Sequence, residues 1–319
     1  MTEDAAPKPE IALLGAQRSD VVAALGQSFV LHRVYDAADP LAALAAVGPR
    51  IRGAASHGMA GISRAQIELM PALEICAING VGLETTDLDA CRARGIVVTT
   101  APVLYDDVAD LAIALALAAC RQIARADRFV RAGRWGAERL PLGRKLSGMR
   151  AGIVGLGRIG TEVARRLEAF RTTIAYADPV RRDVPYRHCP DAESLAAASD
   201  ILFLCAAGGA KGTRPPVIGR AALDALGPRG VFVNVSRGWI VDQDALVDAL
   251  RDGRLGAAGL DVFHDEPNVP AALRTLDNVV LTPHIASSTE ETMRAMGECV
   301  VGNLVSWFAG KGALTPVPA

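Results

Sequence analysis

The sequence predicts an α/β fold with two parallel sheets, and three observations support this prediction. Short apolar and β-branched runs alternate with helical stretches along almost the whole chain, which is the pattern of parallel α/β proteins. Half of the 319 residues are hydrophobic and 22% are charged, so the chain has the apolar side chains that packed cores need. At about 150 residues per domain, a chain of this length is expected to form two domains.

The first series of elements predicts the smaller domain. Strands are expected at 11–14, 51–56, 73–78 and 96–99, with helices at 63–70 and 86–94 between them. A long helix rich in Ala and Leu follows at 106–121. It is apolar on most faces, so we expect it to be buried. The alternation then breaks in a loop at 132–147 that contains three glycines, a proline and Trp135.

The second series predicts a complete dinucleotide-binding fold. Its strands are expected at 151–154, 173–176, 201–205, 231–235, 257–262 and 279–282. Six strands with helices between them are the number that such a fold requires. The final helical stretch, 289–309, has no strand of its own, so we expect it to pack on the first domain. The expected domains are therefore 1–101 with 287–319, and 102–286.

Composition and charge exclude several classes of function. Lys and Arg number 34 against 35 Asp and Glu, and only 4% of the residues are aromatic. A nucleic-acid-binding protein would show a basic excess or an aromatic stacking surface, so we expect no nucleic-acid partner. The six cysteines are scattered without a CxxC pair, which argues against a metal site or a disulfide framework and favours reduced, buried thiols.

The sequence contains no recognisable targeting or membrane segment. The N-terminal segment 1–10 is acidic and has no apolar core, unlike a signal or transit peptide. The longest apolar stretch, 111–120, is too short to cross a bilayer. We therefore expect a cytoplasmic protein with no membrane partner.

A glycine-rich turn follows the first strand of the second series. Gly155, Gly157 and Gly160 form a GxGxxG between that strand and an amphipathic helix. The first glycine permits the tight turn, the second lets the backbone approach a pyrophosphate, and the third lets helix and strand pack closely. The N–H groups at the start of the helix can bind the anion. A methyltransferase that uses such a turn for S-adenosylmethionine is the competing interpretation of this motif alone.

The end of the next strand bears on the choice of dinucleotide. Asp178 lies at a suitable distance after Gly160 for its carboxylate to accept hydrogen bonds from the adenosine ribose. It would repel a 2′-phosphate, so it favours NAD over NADP. Arg181 and Arg182 follow at once and could bind that phosphate, although two charges in a solvated loop are an equally good interpretation.

Three polar side chains follow three later strands. Arg237, Glu266 and His284 each come just after a predicted strand. Since ligands in open α/β folds bind beyond the carboxyl ends of the strands, we expect all three on the side of the sheet where the dinucleotide binds. Each alone would be an ordinary surface arginine, turn residue or satisfied histidine. Their joint occurrence favours a catalytic role.

These motifs together resemble the D-isomer-specific 2-hydroxyacid dehydrogenase family over nearly the whole chain. The resemblance rests on the segments 79–88, 107–110, 155–160, 233–238, 260–267 and 281–287. Within the family, 184–187 and 265–270 are similar to the glyoxylate/hydroxypyruvate and hydroxyphenylpyruvate reductase branch. The resemblance implies two Rossmann-like domains, a doubly wound dinucleotide-binding domain and a smaller flavodoxin-like substrate domain.

The chemistry that the resemblance implies suits the three polar residues. Reduction of a 2-oxo acid by the nicotinamide builds negative charge on the keto oxygen, and His284 would donate the proton. Glu266 would hydrogen-bond the other ring nitrogen, orient the ring and favour its protonated form. Arg237 would bind the substrate carboxylate and polarise the keto group.

The resemblance also implies further contacts with substrate and cofactor. Backbone N–H groups of Ala60 and Gly61, together with Arg237 and His284, would bind the substrate. Asp261 would accept a hydrogen bond from the nicotinamide carboxamide. The full set of cofactor contacts would be Gly155, Gly157, Arg158, Ile159, Gly160, Asp178, Ala207, Thr213, Val235, Asp261 and Ala286. The loop 206–212 is richer in glycine than the family pattern.

We therefore expect a reductase that favours NAD, with NADP possible through Arg181 and Arg182. Its substrate would be a small 2-oxo acid such as glyoxylate, hydroxypyruvate or a phenylpyruvate-like acid, and its product a D-2-hydroxy acid. The rival interpretation is a non-catalytic dinucleotide-sensing protein on the same fold, resembling the corepressor branch of the family.

Family resemblance also implies a homodimer formed through the dinucleotide-binding domains. Trp135 would then reach toward the partner's substrate cleft. The alternative is that Trp135 packs within its own subunit.

Overall fold

A computed structural model describes residues 7–318, and the chain divides into two compact units. Of the described residues, one unit contains 7–104 together with 289–318, and the other is Tyr105–Ser288. Residues 1–6 of the acidic N-terminal segment lie outside the described part. Between residues 7 and 318, no helix is long and apolar enough to cross a membrane. The assignment of residues 1–101 with 287–319 to a substrate domain, and of residues 102–286 to a dinucleotide-binding domain, stays a prediction.

The first unit is a five-stranded parallel sheet with helices. Its strands are β1 (Glu10–Leu13), β2 (Val30–Arg33), β3 (Ile51–His57), β4 (Ile75–Asn79) and β5 (Val97–Thr99), in the order β2-β1-β3-β4-β5. Its helices, numbered along the whole chain, are α1 (Ser19–Ser28), α2 (Pro40–Val47), α3 (Arg64–Leu69), α4 (Leu88–Ala93) and α12 (Glu290–Phe308). The prediction of four strands lacks β2, because this edge strand is largely exposed and carries His32 and Arg33 instead of an apolar alternation.

The second unit is a seven-stranded parallel sheet. Its strands are β6 (Arg150–Val154), β7 (Thr173–Ala177), β8 (Arg187–Cys189), β9 (Ile201–Leu204), β10 (Val231–Asn234), β11 (Ala257–Leu260) and β12 (Val279–Leu281), in the order β12-β11-β10-β9-β6-β7-β8. Its helices are α5 (Tyr105–Arg121), α6 (Ile123–Arg131), α7 (Arg158–Ala169), α8 (Ala192–Ala197), α9 (Arg220–Leu226), α10 (Gln243–Arg251) and α11 (Ala271–Thr275). The sequence predicted six of these strands and missed β8, a short edge strand that begins with two polar residues.

The order of strands reverses once in each sheet, and ligands of open α/β folds bind at such points. In the second sheet the reversal lies between β6 and β9. Gly155 follows β6 with a φ of 88°, and a Cβ there would lie 2.6 Å from the backbone nitrogen of Ala206, which follows β9. In the first sheet the reversal lies between β1 and β3, and a Cβ on Gly15 would lie 2.6 Å from the ring of His57.

The predicted N-cap of α10 and the predicted burial of α5 are both present in the structure. The side chain of Asp242 accepts a hydrogen bond from the N–H of Ala245 at 3.0 Å and so caps α10. Helix α5 is buried along the side that contacts β10, β11 and α7. Its close approach to β11 depends on Gly259, where a Cβ would lie 2.8 Å from that of Leu115.

The six cysteines are free, as predicted. Four of them are buried, whereas Cys205 and Cys299 are partly buried. Burial raises the pKa of the Cys205 thiol to about 12, so this thiol stays protonated at neutral pH.

Candidate active site

The glycine turn has the geometry that a phosphate site requires. Gly157 directly precedes α7, and the space where its Cβ would lie is open. A Cβ on Gly160 would lie 2.1 Å from the carbonyl oxygen of Gly155, so only glycine lets α7 pack on the turn. The free N–H groups of the first turn of α7 and the open space at Gly157 fit an approaching pyrophosphate. Ile159, also in this first turn, is partly buried.

The turn and the start of α7 line a cavity of about 720 Å³. Arg158 in its wall donates from Nη1 to the hydroxyl of Tyr105 at 2.5 Å, and its guanidinium carbon lies 5.3 Å from the centre of that ring. The contact holds a positive charge beside the helix N-terminus. A guanidinium and a helix N-terminus at one wall are complementary to a phosphate group. Arg182 and Asp183 line the same cavity.

Asp178, at the end of β7, connects the glycine turn to the next loop. Its Oδ2 accepts from the N–H of Leu156 at 2.9 Å, and its Oδ1 accepts from the N–H of Val180 at 2.9 Å. The same Oδ1 pairs with Arg182 at 3.5 Å, and only 10% of the Asp178 side chain is exposed. Arg181 is exposed. The carboxylate thus shapes the turn as well as standing where a ribose hydroxyl is expected.

Arg237 follows β10 in a turn that is shaped by its neighbours. Asn234 donates from Nδ2 to the carbonyl oxygen of Arg237 at 3.1 Å. A Cβ on Gly238 would lie 1.8 Å from the carbonyl carbon of Phe263. Glycine at this position therefore brings the Arg237 turn against the segment that leads to Glu266.

His284 and Glu266 form a close pair. His284 Nδ1 lies 2.7 Å from Glu266 Oε2, and the N–H of Phe263 donates to Glu266 Oε1 at 3.0 Å. Burial raises the pKa of Glu266, but the hydrogen bonds from His284 and Phe263 and the charges of His284 and Arg237 outweigh it and hold this pKa below its usual range. The carboxylate is therefore ionised at neutral pH. It holds the imidazole by Nδ1 and leaves Nε2 for proton transfer.

Asp261 holds the loop that carries His284. Its side chain is fully buried; Oδ1 accepts from the Thr282 hydroxyl at 2.6 Å and from the N–H of Ile285 at 2.9 Å. Its Oδ2 accepts from the N–H of Ala286 at 3.0 Å, and its carbonyl oxygen accepts from the N–H of His284 at 2.9 Å. His284 has a φ of 54°, a left-handed conformation that is uncommon outside glycine. The bonds to Asp261 on both sides of this residue hold it there.

This role of Asp261 is one that sequence reasoning missed. Burial raises the pKa of the Asp261 carboxyl, although Thr282 and two N–H groups lower it in part. The signal in the sequence was Asp261, an aspartate at the end of a predicted buried strand, opposite Thr282 at the end of the neighbouring strand. A contact of this carboxylate with a nicotinamide carboxamide stays a prediction.

Four other predicted cofactor contacts lie at the ends of strands in the second unit. Ala207 and Thr213 are in the loop after β9, where Arg214 donates to the carbonyl oxygen of Ala207. Thr213 donates from its hydroxyl to the carbonyl oxygen of Ala210 at 2.7 Å. Val235 and Ala286 are buried.

The predicted substrate contacts of the first unit lie in the loop after β3. The N–H groups of Ala60 and Gly61 both donate to the carbonyl oxygen of His57, at 3.0 and 2.8 Å. To bind a carboxylate, they would have to exchange this acceptor for the ligand. Burial lowers the pKa of His57, so its ring is neutral at neutral pH.

Comparison with known proteins decides the family. Residues 113–286 match the family described as D-isomer specific 2-hydroxyacid dehydrogenase, NAD binding domain. The chain belongs to this family. Membership confirms the resemblance and the α/β fold prediction, and it makes the chain a nicotinamide-dependent oxidoreductase. The methyltransferase interpretation of the glycine turn is wrong.

Similar members of the D-2-hydroxyacid dehydrogenase family span most of the chain. Glyoxylate/hydroxypyruvate reductase A HPR2 of Arabidopsis thaliana is 47% identical over 269 residues, 84% of this chain and 85% of the relative. The 2-ketogluconate reductase of Gluconobacter oxydans is 41% identical over 312 residues, 97% of this chain and 99% of the relative. A solved NADPH-dependent glyoxylate/hydroxypyruvate reductase of Sinorhizobium meliloti, in complex with NADP and malonate, is similar with a TM-score of 0.88 at 38% identity and covers 97% of each chain.

Proposed function

We propose that the protein is a nicotinamide-dependent reductase that converts a small 2-oxo acid to the D-2-hydroxy acid. The observation that supports this best is the 2.7 Å pair of His284 and Glu266, with the charge of Arg237 acting on the same carboxylate. Reduction of a 2-oxo acid needs a proton donor for the keto oxygen and a cation for the carboxylate. The presence of Arg237, Glu266 and His284 together therefore favours a reductase over a dinucleotide-sensing protein without catalysis.

Each of the side chains has a separate role in the proposed reaction. A bound nicotinamide dinucleotide supplies the hydride, and the Gly155–Gly160 turn with Arg158 would hold its pyrophosphate. Arg237 binds the substrate carboxylate through its forked guanidinium and polarises the keto group. Cationic His284 donates a proton from Nε2 as negative charge develops on the keto oxygen. Glu266 remains ionised and orients the ring through Nδ1.

We propose glyoxylate and hydroxypyruvate as the first substrates, followed by phenylpyruvate-like acids. The relatives are named for glyoxylate, hydroxypyruvate and 2-ketogluconate, which share a 2-oxo carboxylate. In this proposal residues 1–101 with 287–319 form the substrate domain, where Ala60 and Gly61 contact the substrate carboxylate. Residues 102–286 form the dinucleotide-binding domain.

A panel assay tests the proposed function. The purified protein is mixed with NADH or NADPH and each 2-oxo acid in turn, and the loss of reduced-nicotinamide absorbance is followed. We expect turnover with at least one acid and a D-configured product on chiral analysis. Binding of NADH, seen by its fluorescence, without turnover of any acid would favour the dinucleotide-sensing alternative.

We expect NADH to be preferred over NADPH, and Asp178→Ser to narrow the difference. The Asp178 carboxylate pairs with Arg182 at 3.5 Å, and Asp183 lines the cavity at the glycine turn together with Arg182. Both carboxylates would repel a 2′-phosphate bound near Arg182. Removing one of them frees Arg182 for the phosphate, and kcat/KM with NADPH should rise about tenfold. The measurement is kcat/KM for both dinucleotides at a fixed 2-oxo acid concentration.

Arg182→Ser is the matched control for this prediction. It should lower kcat/KM with NADPH and leave that with NADH nearly unchanged, because it removes the cation and keeps the carboxylate. A wild-type protein that prefers NADPH would show that the arginines outweigh Asp178.

We propose a homodimer formed through the dinucleotide-binding domain, with Trp135 reaching the partner's substrate cleft. Trp135 is 80% exposed and Leu142 in the same loop is 97% exposed, which supports an indole that packs against a partner subunit. Ile123 and Val130, two turns apart on α6, are each more than half exposed. Large apolar side chains exposed together are typical of protein interfaces.

Trp135→Ala should raise KM for phenylpyruvate about tenfold and leave KM for glyoxylate nearly unchanged. A small acid need not touch the indole, whereas a bulky one would pack on it. Light scattering at micromolar protein gives the mass of the assembly. Replacing Ile123 and Val130 by Glu should separate the subunits and reproduce the same selective rise in KM. A monomeric wild-type protein, or equal changes for both acids, would contradict the proposal.

A further inference from the structure

Two groups that the sequence did not connect with Arg237 lie next to its side chain. One is the backbone at Gly208, where a Cβ would lie 2.5 Å from Cγ of Arg237. The second is the indole of Trp239, whose ring centroid lies 5.8 Å from the guanidinium carbon. The same Cβ would lie 3.2 Å from Cζ2 of Trp239. Gly208 does not have a positive φ, so glycine is needed here for space.

Trp239 is itself held at both ends. Its Nε1 donates to the carbonyl oxygen of Gly209 at 3.2 Å. Its ring packs against the buried core of the second unit. Its backbone belongs to the single 3-10 turn Gly238–Ile240. An indole anchored by a hydrogen bond and by core packing has little freedom to move away from the guanidinium.

The 206–210 loop is tied to neighbouring side chains through its carbonyl oxygens. Each of its five carbonyl oxygens accepts a hydrogen bond from a side chain. In order along the loop, the donors are Ser236, Arg214, Arg214 again, Trp239 and Thr213. A loop that contains two adjacent glycines would otherwise lose much conformational entropy on ordering, and these bonds offset that cost.

We propose that Trp239 is a positioning residue for Arg237. The indole lies beside the guanidinium, Gly208 lies beside the aliphatic stem, and Arg237 Nη1 donates to the carbonyl oxygen of Ser236 at 2.8 Å, so these contacts restrict the side chain. An arginine that is already ordered loses less side-chain entropy when it binds a carboxylate, so the confinement increases affinity for the 2-oxo acid. This inference rests on the proposed function, because it requires that Arg237 bind the substrate.

The test compares Trp239→Leu with Trp239→Phe. The leucine variant loses both the aromatic face and the N–H donor, so KM for glyoxylate and the dissociation constant of oxamate, a non-reducible analogue, should each rise about tenfold. The phenylalanine variant keeps a ring and should lose about threefold. Binding of NADH, followed by fluorescence, should stay unchanged in both, and kcat should change much less than KM.

Trp307→Phe is a matched control in the first unit. Trp307 donates from Nε1 to Glu74 at 3.0 Å, so this variant also loses an indole N–H hydrogen bond, at a residue that is assigned no role in the reaction. It should alter thermal stability at most. A general structural effect of losing an indole N–H would change KM in both phenylalanine variants alike.

A double-mutant cycle tests the role of Arg237 in binding separately from the role of Trp239 in positioning it. Arg237→Gln should weaken oxamate binding by about a hundredfold, and Trp239→Leu should add nothing in that background if it acts through Arg237. Unchanged oxamate binding in Arg237→Gln would overturn the proposed function of that arginine. If Arg237→Gln weakens binding but Trp239→Leu has no effect, or has the same effect in both backgrounds, the positioning role of Trp239 is wrong.

Discussion

His284→Ala is expected to lower kcat for 2-oxo acid reduction by about 10²-fold or more, because the variant has no acid to protonate the keto oxygen. Affinity for NADH should be nearly intact, since the ring is hydrogen-bonded to Glu266, and the backbone N–H of His284, which the variant keeps, holds the loop through Asp261. The measurements are steady-state kcat with glyoxylate and the dissociation constant of NADH from its fluorescence. Wild-type turnover in the variant would remove His284 from the role of acid.

Glu266→Gln is the companion variant for this result. The amide oxygen can still accept a hydrogen bond from His284 Nδ1, but the ionised carboxylate that stabilises the cationic ring is gone. Loss of this negative charge beside the proton donor should shift the pH profile of reduction to lower pH. A profile that stays in place would mean that Glu266 orients the ring without acting on its charge.

Asp261→Asn is expected to lower kcat by about 10²-fold, the second-largest loss of turnover after that of His284→Ala. An amide presents an NH₂ group in place of one carboxylate oxygen. That group would face an N–H of Ile285 or Ala286, both of which now donate to Asp261. Two donors cannot bond each other, so the loop would relax from the left-handed conformation at His284 and move the imidazole. The measurements are kcat, the dissociation constant of NADH and the melting temperature.

Thr282→Val is the control for the loop. It removes a single donor to the Asp261 carboxylate, the 2.6 Å hydroxyl bond, and keeps both backbone bonds, so its loss in kcat should be much smaller. A fall in NADH affinity in Asp261→Asn with unchanged kcat would contradict the loop role and favour a carboxamide contact instead.

The sequence by itself determined those features that depend on local pattern. Apolar runs located ten of the twelve strands that residues 7–318 contain, because a strand buried on both faces needs a continuous apolar segment. The two missed strands, β2 and β8, lie at sheet edges, where one face or one side meets solvent and polar residues are tolerated. The glycine turn was also predictable, since the φ of 88° at Gly155 and the close approach of Gly160 to the Gly155 carbonyl oxygen both arise within one strand–turn–helix unit.

The order of elements also determined that Arg237, Glu266 and His284 share one edge of a sheet, because each follows a parallel strand. Only the tertiary structure decided which groups these residues contact. Asp261 reaches Ile285 and Ala286 from the neighbouring strand, and Gly208 reaches Arg237 across the ends of β9 and β10. Such contacts join loops that are distant in sequence and have no periodicity. Their partners are selected by the packing of whole strands and helices, which brings a donor and an acceptor within hydrogen-bond distance only once the sheet has formed.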